Sequence, residues 1–278
     1  MSLSARKISV DYDVPASRDD WTLSEETMPE SHPHELTVEL IKLILVAWVA
    51  RMGLDAQVVR NLAVRWNEVR PQIGVDPDVA LISPRTPEGV EVMSICLWRE
   101  GHTAPRVAVE VVSTTNPNKD YNIVPDKYAA SGTGELWVFD PKLAGPKANG
   151  GPFRIQLWQR NGEGVFARSY AGEGPVWSPA VGGWLFAVNE GERLRIADDE
   201  AGTAWWTTGE ETERAGREAE RAAKEAALAA EEAERLAKEA ALAAVEAERA
   251  AKEAERAGKE SALARVAELE AELARRGG

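Results

Sequence analysis

The chain has 278 residues, 44% of them hydrophobic and 28% charged, with a single cysteine and a formal net charge of -13. That size allows one substantial domain and a further segment, while one cysteine excludes an internal disulfide and a thiolate metal cluster. The net charge excludes nucleic-acid binding by a broad basic face, and no apolar run reaches the roughly 18 to 20 residues that a membrane span needs.

Met1–Ser24 lacks the basic start, apolar middle and small-residue cleavage site of a signal peptide, so a cytoplasmic location is expected. Residues 1–20 read as a flexible polar arm. A helix is predicted over Leu36–Met52, where Leu36, Leu40, Leu43, Ile44, Ala47 and Trp48 follow helical spacing up to Gly53. Ala56–Val64 has strand composition, Val75–Ile82 reads as a turn and then a strand, and Pro84–Gly89 as a loop. Glu91–Trp98 fits either a strand or a short helix, and Cys96 within it reads as a small buried hydrophobe.

Arg106-Val-Ala-Val-Glu-Val-Val-Ser113 is a strand interrupted by one carboxylate, Glu110. An unpaired buried carboxylate costs several kcal/mol or shifts its pKa, so a glutamate there normally has a cation, a donor or a metal; the alternative is that Glu110 lies at the open end of the strand, or pairs with an arginine, without a chemical role. The polar run Ser113–Asp120 cannot continue a sheet. A helix over Asp126–Ser131 closed by Gly132 follows, then a strand over Glu135–Phe139. Strand, loop, helix and strand form an α/β unit.

Ala144–Gly151 is a surface loop, lacking the strand and helix of a phosphate-binding turn. Phe153–Gln159, Gly164–Tyr170, Val176 with Trp177, and Trp184–Val188 are short β runs, expected as hairpins that extend the sheet in antiparallel fashion. A globular domain over 21–200 is therefore expected.

Near Glu210 the composition turns to Ala, Glu, Lys and Arg. Ala222, Ala226, Ala229, Ala233 and Leu236 open a seam of alternating four and three spacing, and Ala262, Val266, Leu269 and Leu273 form a more apolar seam out of phase with it. A coiled-coil helix over 210–276 is expected, with a homo-oligomer or a protein partner along it, against a solvated single helix as the alternative.

Asp78 opens the Val-Ala-Leu-Ile strand, Glu110 lies within the next apolar one, and Lys127 follows on a helix. Two acids on neighbouring strands make a hard-oxygen site for magnesium or manganese, able to activate water and neutralise a phosphodiester transition state. Lesser candidates are His34, Glu35 or Glu39 on the first helix, and Asp76 as a rival to Asp78. Ser113 is expected to cap a turn, and the ten tryptophans to pack the core.

Pro77-Asp78-Val79, Val109-Glu110-Val111-Val112-Ser113, Asp126-Lys127-Tyr128 with Gly132, Glu135-Leu136-Trp137-Val138 and Asp140-Pro141 together resemble the Uma-two family of bacterial endonucleases. That family belongs to the PD-(D/E)XK restriction-endonuclease-like superfamily. Met28-Pro29 and His34 extend the resemblance upstream, and Val176-Trp177-Ser178-Pro179 with Gly183 downstream. It covers about residues 20 to 195 and leaves the helical tail outside.

The resemblance implies an α/β fold with a mixed sheet flanked by helices, a divalent metal at its edge, and hydrolysis of nucleic acid, DNA before RNA. It implies that Asp78 and Glu110 are the metal-binding acids, with the Val111 backbone carbonyl as a further ligand. Where the superfamily has a lysine two residues after the glutamate, this chain has Val112. Lys127 matches the placement on the following helix, with Lys119 as its rival, and Lys127 is preferred because a helix fixes an amine better than a loop. The competing expectation is a catalytically silent nuclease fold that acts as an interaction protein through its coiled coil.

Overall fold

The computed structural model describes residues 32–276 except 148, 149 and 162. The expected arm at 1–20 lies outside the described residues. The chain divides into two compact units, 1–210 and 211–278, and each is taken by itself.

The first unit opens with α1 (His32–Met52), whose buried positions Val38, Ile41, Ile44, Leu45 and Trp48 form one stripe at helical spacing. It starts four residues before the predicted Leu36. Gly53, in a left-handed conformation at φ 60°, ends it.

The expected strand at Ala56–Val64 is split: β1 (Gln57–Arg60) and β2 (Val64–Arg65) flank Asn61, whose positive φ turns the chain. After β3 (Gly74–Val75), β4 (Val79–Ile82) is buried at every position. The ambiguous Glu91–Trp98 segment holds the end of a 3-10 turn (Gly89–Glu91) and β5 (Ile95–Cys96), and Cys96 is buried. β6 (Val107–Val111) is buried throughout.

A π-helical turn (Lys119–Ile123) then runs directly into α2 (Val124–Ser131), so this helical segment begins earlier than the predicted Asp126. Pro125 stands in the first turn of α2. Gly132 closes α2 at φ 80°, its N–H returning to the carbonyls of Ala129 and Tyr128.

β7 (Glu135–Phe139), β8 (Ile155–Arg160) and β9 (Phe166–Gly172) complete a six-stranded sheet of order β1-β4-β6-β7-β8-β9. All of its neighbours are antiparallel except β6 and β7, which run parallel with Glu110 opposite Val138. The fold is therefore α/β with a mixed sheet. The predicted antiparallel extension is realised by β8 and β9. By contrast β10 (Val176–Ser178), β11 (Gly183–Val188) and β12 (Arg193–Ala197) leave the large sheet and form a small antiparallel one.

Strand alternation sends Val107, Val109 and Val111 into a core shared with α1. Ala108 and Val112 go to the opposite core, which contains Val124 and Tyr128 of α2. Glu110 has the parity of this second face. Trp48 of α1 stacks on Trp206 at 5.4 Å between ring centroids, and Trp137 and Trp206 are fully buried, which fits packing roles for these rings.

The second unit is formed by α3 (Gly209–Arg276), a helix of 68 residues, from residue 211 onward. Pairs such as Glu220 with Lys224, Glu234 with Lys238 and Glu248 with Lys252 brace its surface at i,i+4 spacing. Among the described residues no helix is long and apolar enough to cross a membrane.

Candidate metal and acid site

Asp78 immediately precedes β4, which lies antiparallel to β6, with Val79 opposite Val109. This pairing brings Asp78 beside the end of β6. The Val111 backbone N–H donates to Asp78 Oδ2 at 2.7 Å, so the acid caps the strand next to its own. From the start of α1, His34 Nε2 donates to the Val111 carbonyl at 3.0 Å and stands 3.5 Å from Asp78 Oδ2. The carbonyl accepts, so Nε2 carries the proton.

Glu110 is 1% exposed. Tyr128 of α2, fully buried, donates its hydroxyl to Glu110 Oε1 at 2.6 Å. Burial raises the Glu110 carboxyl well above the ordinary glutamate range, and the negative charges of Asp78 and Asp120 push it the same way; Lys119 and the Tyr128 hydroxyl work against the shift. Burial likewise raises the Tyr128 phenol, reinforced by Glu110.

The π-helical turn adds two charged groups. Asp120 is 2% exposed, and burial pushes its carboxyl up to about 6, with Lys119 opposing and Asp78 adding to the rise. Lys119 Nζ lies 3.5 Å from Asp120 Oδ1. Burial works to lower the Lys119 ammonium, but Glu110, Asp120 and Asp78 outweigh it and hold it above the usual lysine range. Three acids and one amine thus share a single electrostatic field.

Of the residues singled out from the sequence, Asp78, Glu110, Val111 and His34 converge. Lys127 is exposed on α2, one residue from Tyr128 and therefore about 100° around the helix from the buried stripe of Val124, Tyr128 and Ser131. Lys119 is the amine coupled to the acids, and it stands on a helical turn, so the premise that placed it on a loop does not hold. Glu35 is exposed and faces Arg60 Nη2 at 3.9 Å, with Glu39 3.5 Å from Arg60 Nη1. Asp76 pairs with Arg65 at 2.8 Å. Ser113 Oγ accepts the Thr115 N–H at 3.2 Å, the expected turn cap.

Two site residues carried no assignment from the sequence, Asp120 and Tyr128. Tyr128 had a usable signal: it falls four residues after Val124 on the apolar face of a helix packed against β6, where a buried hydroxyl needs a polar partner. Asp120 had none, since it closes a polar run with no periodicity.

The donor set suits a hard cation. The contacts described engage one oxygen of each acid, leaving Asp78 Oδ1 and Glu110 Oε2, and a carbonyl accepting one bond at Val111 retains a second lone pair. Among the described residues no three His, Cys, Asp or Glu side chains form a ready metal cage. Two carboxylates and a carbonyl match the way magnesium is held, with few protein ligands and several waters.

In comparison with known proteins, residues 22–145 match the family model Uma2, described as "Putative restriction endonuclease". A solved structure described as "a putative nuclease belonging to DUF820" from Anabaena variabilis is similar at a TM-score of 0.38 and 14% identity, covering 55% of this chain and 75% of that one. None of the curated proteins compared matches the chain. The stretch matched by the Uma2 model, described as "Putative restriction endonuclease", thus spans Asp78, Glu110 and Tyr128.

Proposed function

We propose that the chain is a divalent-metal-dependent endonuclease that hydrolyses phosphodiester bonds of DNA and acts in the cytoplasm. The observation that carries this reading is the bond from Val111 N–H to Asp78 Oδ2, which fixes one acid to the strand holding the other. Asp78, Glu110 and the Val111 carbonyl would hold magnesium or manganese. Such an ion supplies a water of lowered pKa and neutralises charge on the phosphodiester.

The chain's own groups prepare that chemistry. Tyr128 fixes the direction of the Glu110 carboxylate through Oε1, and His34 and the Val111 N–H hold the end of β6 and Asp78 together. Lys119 brings an ammonium into the field of all three acids. It takes the orienting role that Val112, an apolar side chain buried in the core with Tyr128, cannot fill, and it is preferred here to Lys127. Asp120 keeps that amine protonated and near the acids.

The test is incubation of plasmid DNA, single-stranded DNA and RNA with magnesium or manganese, with Asp78→Ala and Glu110→Ala alongside. Cleavage by the wild type, lost in both variants, is expected; equal cleavage by wild type and variants removes the mechanism. The long helix assembles copies of the enzyme and supplies the surface for any protein partner.

A further inference from the structure

We infer that α3 pairs in parallel with α3 of one second copy, and that the pairing is set by its last two heptads. This deepens the assembly proposed above, and its test reads association rather than cleavage.

Ala262, Val266, Leu269 and Leu273 recur at four, three and four spacing, and all four are exposed on α3. Assigned to a heptad, Val266 and Leu273 take the a positions, and Ala262 and Leu269 the d positions. Val266 at a with Leu269 at d is the combination of a β-branched residue and leucine that favours two parallel strands. The flanks agree. Arg265, just before Val266, is a g residue, and Glu270, just after Leu269, is the e residue of the same heptad-spaced edge, five residues on. In a parallel pair, g of one helix meets e of the other at that offset. Arg265 therefore faces Glu270 of the second copy, and the two-fold axis repeats the pair. In the single helix Arg265 touches Glu268 at 2.8 Å, an exposed contact that costs little to exchange.

The upstream seam, although out of phase with this one, favours the same orientation. Every seventh residue from Glu225 to Glu253 is glutamate, each directly preceding one residue of the small-residue seam. The opposite flank of that seam holds Ala223, Ala230, Ala237, Ala244 and Ala251. Antiparallel helices would set this glutamate row against its own copy, whereas parallel helices set each glutamate against alanine or glycine. Like charges placed opposite each other disfavour the first arrangement.

The experiment uses the full chain. Sedimentation equilibrium should give a dimer, and Leu269→Cys should form a disulfide with itself on mild oxidation, Cys96 being buried. Arg265→Glu should weaken the dimer at least about tenfold, and Arg265→Glu with Glu270→Arg should restore it, with helix content followed by circular dichroism. A monomer across the micromolar range, a trimer, absence of the Leu269→Cys disulfide, or a double variant no stronger than Arg265→Glu would overturn the proposal. Glu110→Ala should dimerise as the wild type does, so loss of cleavage leaves this result separate.

Discussion

Asp78 Oδ2 accepts the backbone N–H of Val111, so the acid before β4 is hydrogen-bonded to the residue that follows Glu110. Asp78 is therefore held by the backbone of the strand that carries Glu110, and Tyr128 holds the Glu110 carboxyl through Oε1, which limits how far either can drift. Asp78→Asn keeps an oxygen for the Val111 N–H but removes the charge. It should leave the melting temperature nearly unchanged and lower metal-dependent cleavage at least about 100-fold, since metal-held charge stabilisation is worth several kcal/mol. Thermal melts and plasmid nicking rates measured on the same preparation check this; near-wild-type nicking would remove Asp78 from the metal site.

Lys119 and Lys127 make opposite predictions. Lys119 sits in the field of Glu110, Asp120 and Asp78, while Lys127 is exposed beside the buried Tyr128. Lys119→Met should reduce the cleavage rate about 100-fold or more, the usual scale for a group that positions or moves a proton. Lys127→Met should stay within about twofold on the same scale. The reverse ranking in single-turnover kinetics would return the role to α2.

Asp78 and Glu110 were legible as candidates because each puts a charge against an apolar strand, although acids near strand ends are common in α/β proteins and the wider motif was needed to single them out. The amine was harder. Ser113–Asp120 is polar and aperiodic, and a π-helical turn has no sequence period to betray it, so Lys119 read as a loop residue. α1, β6 and β7 followed their apolar patterns, whereas β2, β3 and β5 span two residues each and are too short for alternation to register. Their pairing, with β2 antiparallel to β3 and parallel to β5, is a tertiary result.

Asp120 should make the fold less stable as pH rises. Its folded carboxyl is raised to about 6 from 3.8, so between those values the folded state binds more protons than the unfolded state, and stability falls with rising pH. Glu110, also raised, acts in the same direction, whereas Lys119 favours the charged form of both acids. Asp120→Asn should therefore flatten the loss between pH 4 and about 6, a change of at most a few kcal/mol. Urea melts across that range decide it: parallel pH profiles for wild type and variant would show that Asp120 is not the buried acid responsible.

Glu135 offers a test of structure apart from chemistry. It is 2% exposed on β7, and its carboxylate collects donors from several elements without a paired cation among the contacts described. Trp137 Nε1 donates to Oε1 at 2.6 Å, Gln159 Nε2 to Oε2 at 2.9 Å and the Ala180 N–H to Oε2 at 3.4 Å, while Ser178 Oγ donates to Oε1. Ser178 belongs to β10, so this one side chain ties the large sheet to the small one. Glu135→Gln is nearly isosteric but turns one acceptor oxygen into a donor facing other donors, and Glu135→Ala removes both acceptors. Leaving buried donors unmet costs about 1 to 3 kcal/mol each, so either change should cost about 2 to 4 kcal/mol after partial relaxation. For a unit of this size that corresponds to a fall in melting temperature of roughly 5 to 15 °C. Calorimetry of both variants is the check: a fall under about 2 °C would mean that water replaces the carboxylate, and that contacts other than Glu135 join the two sheets.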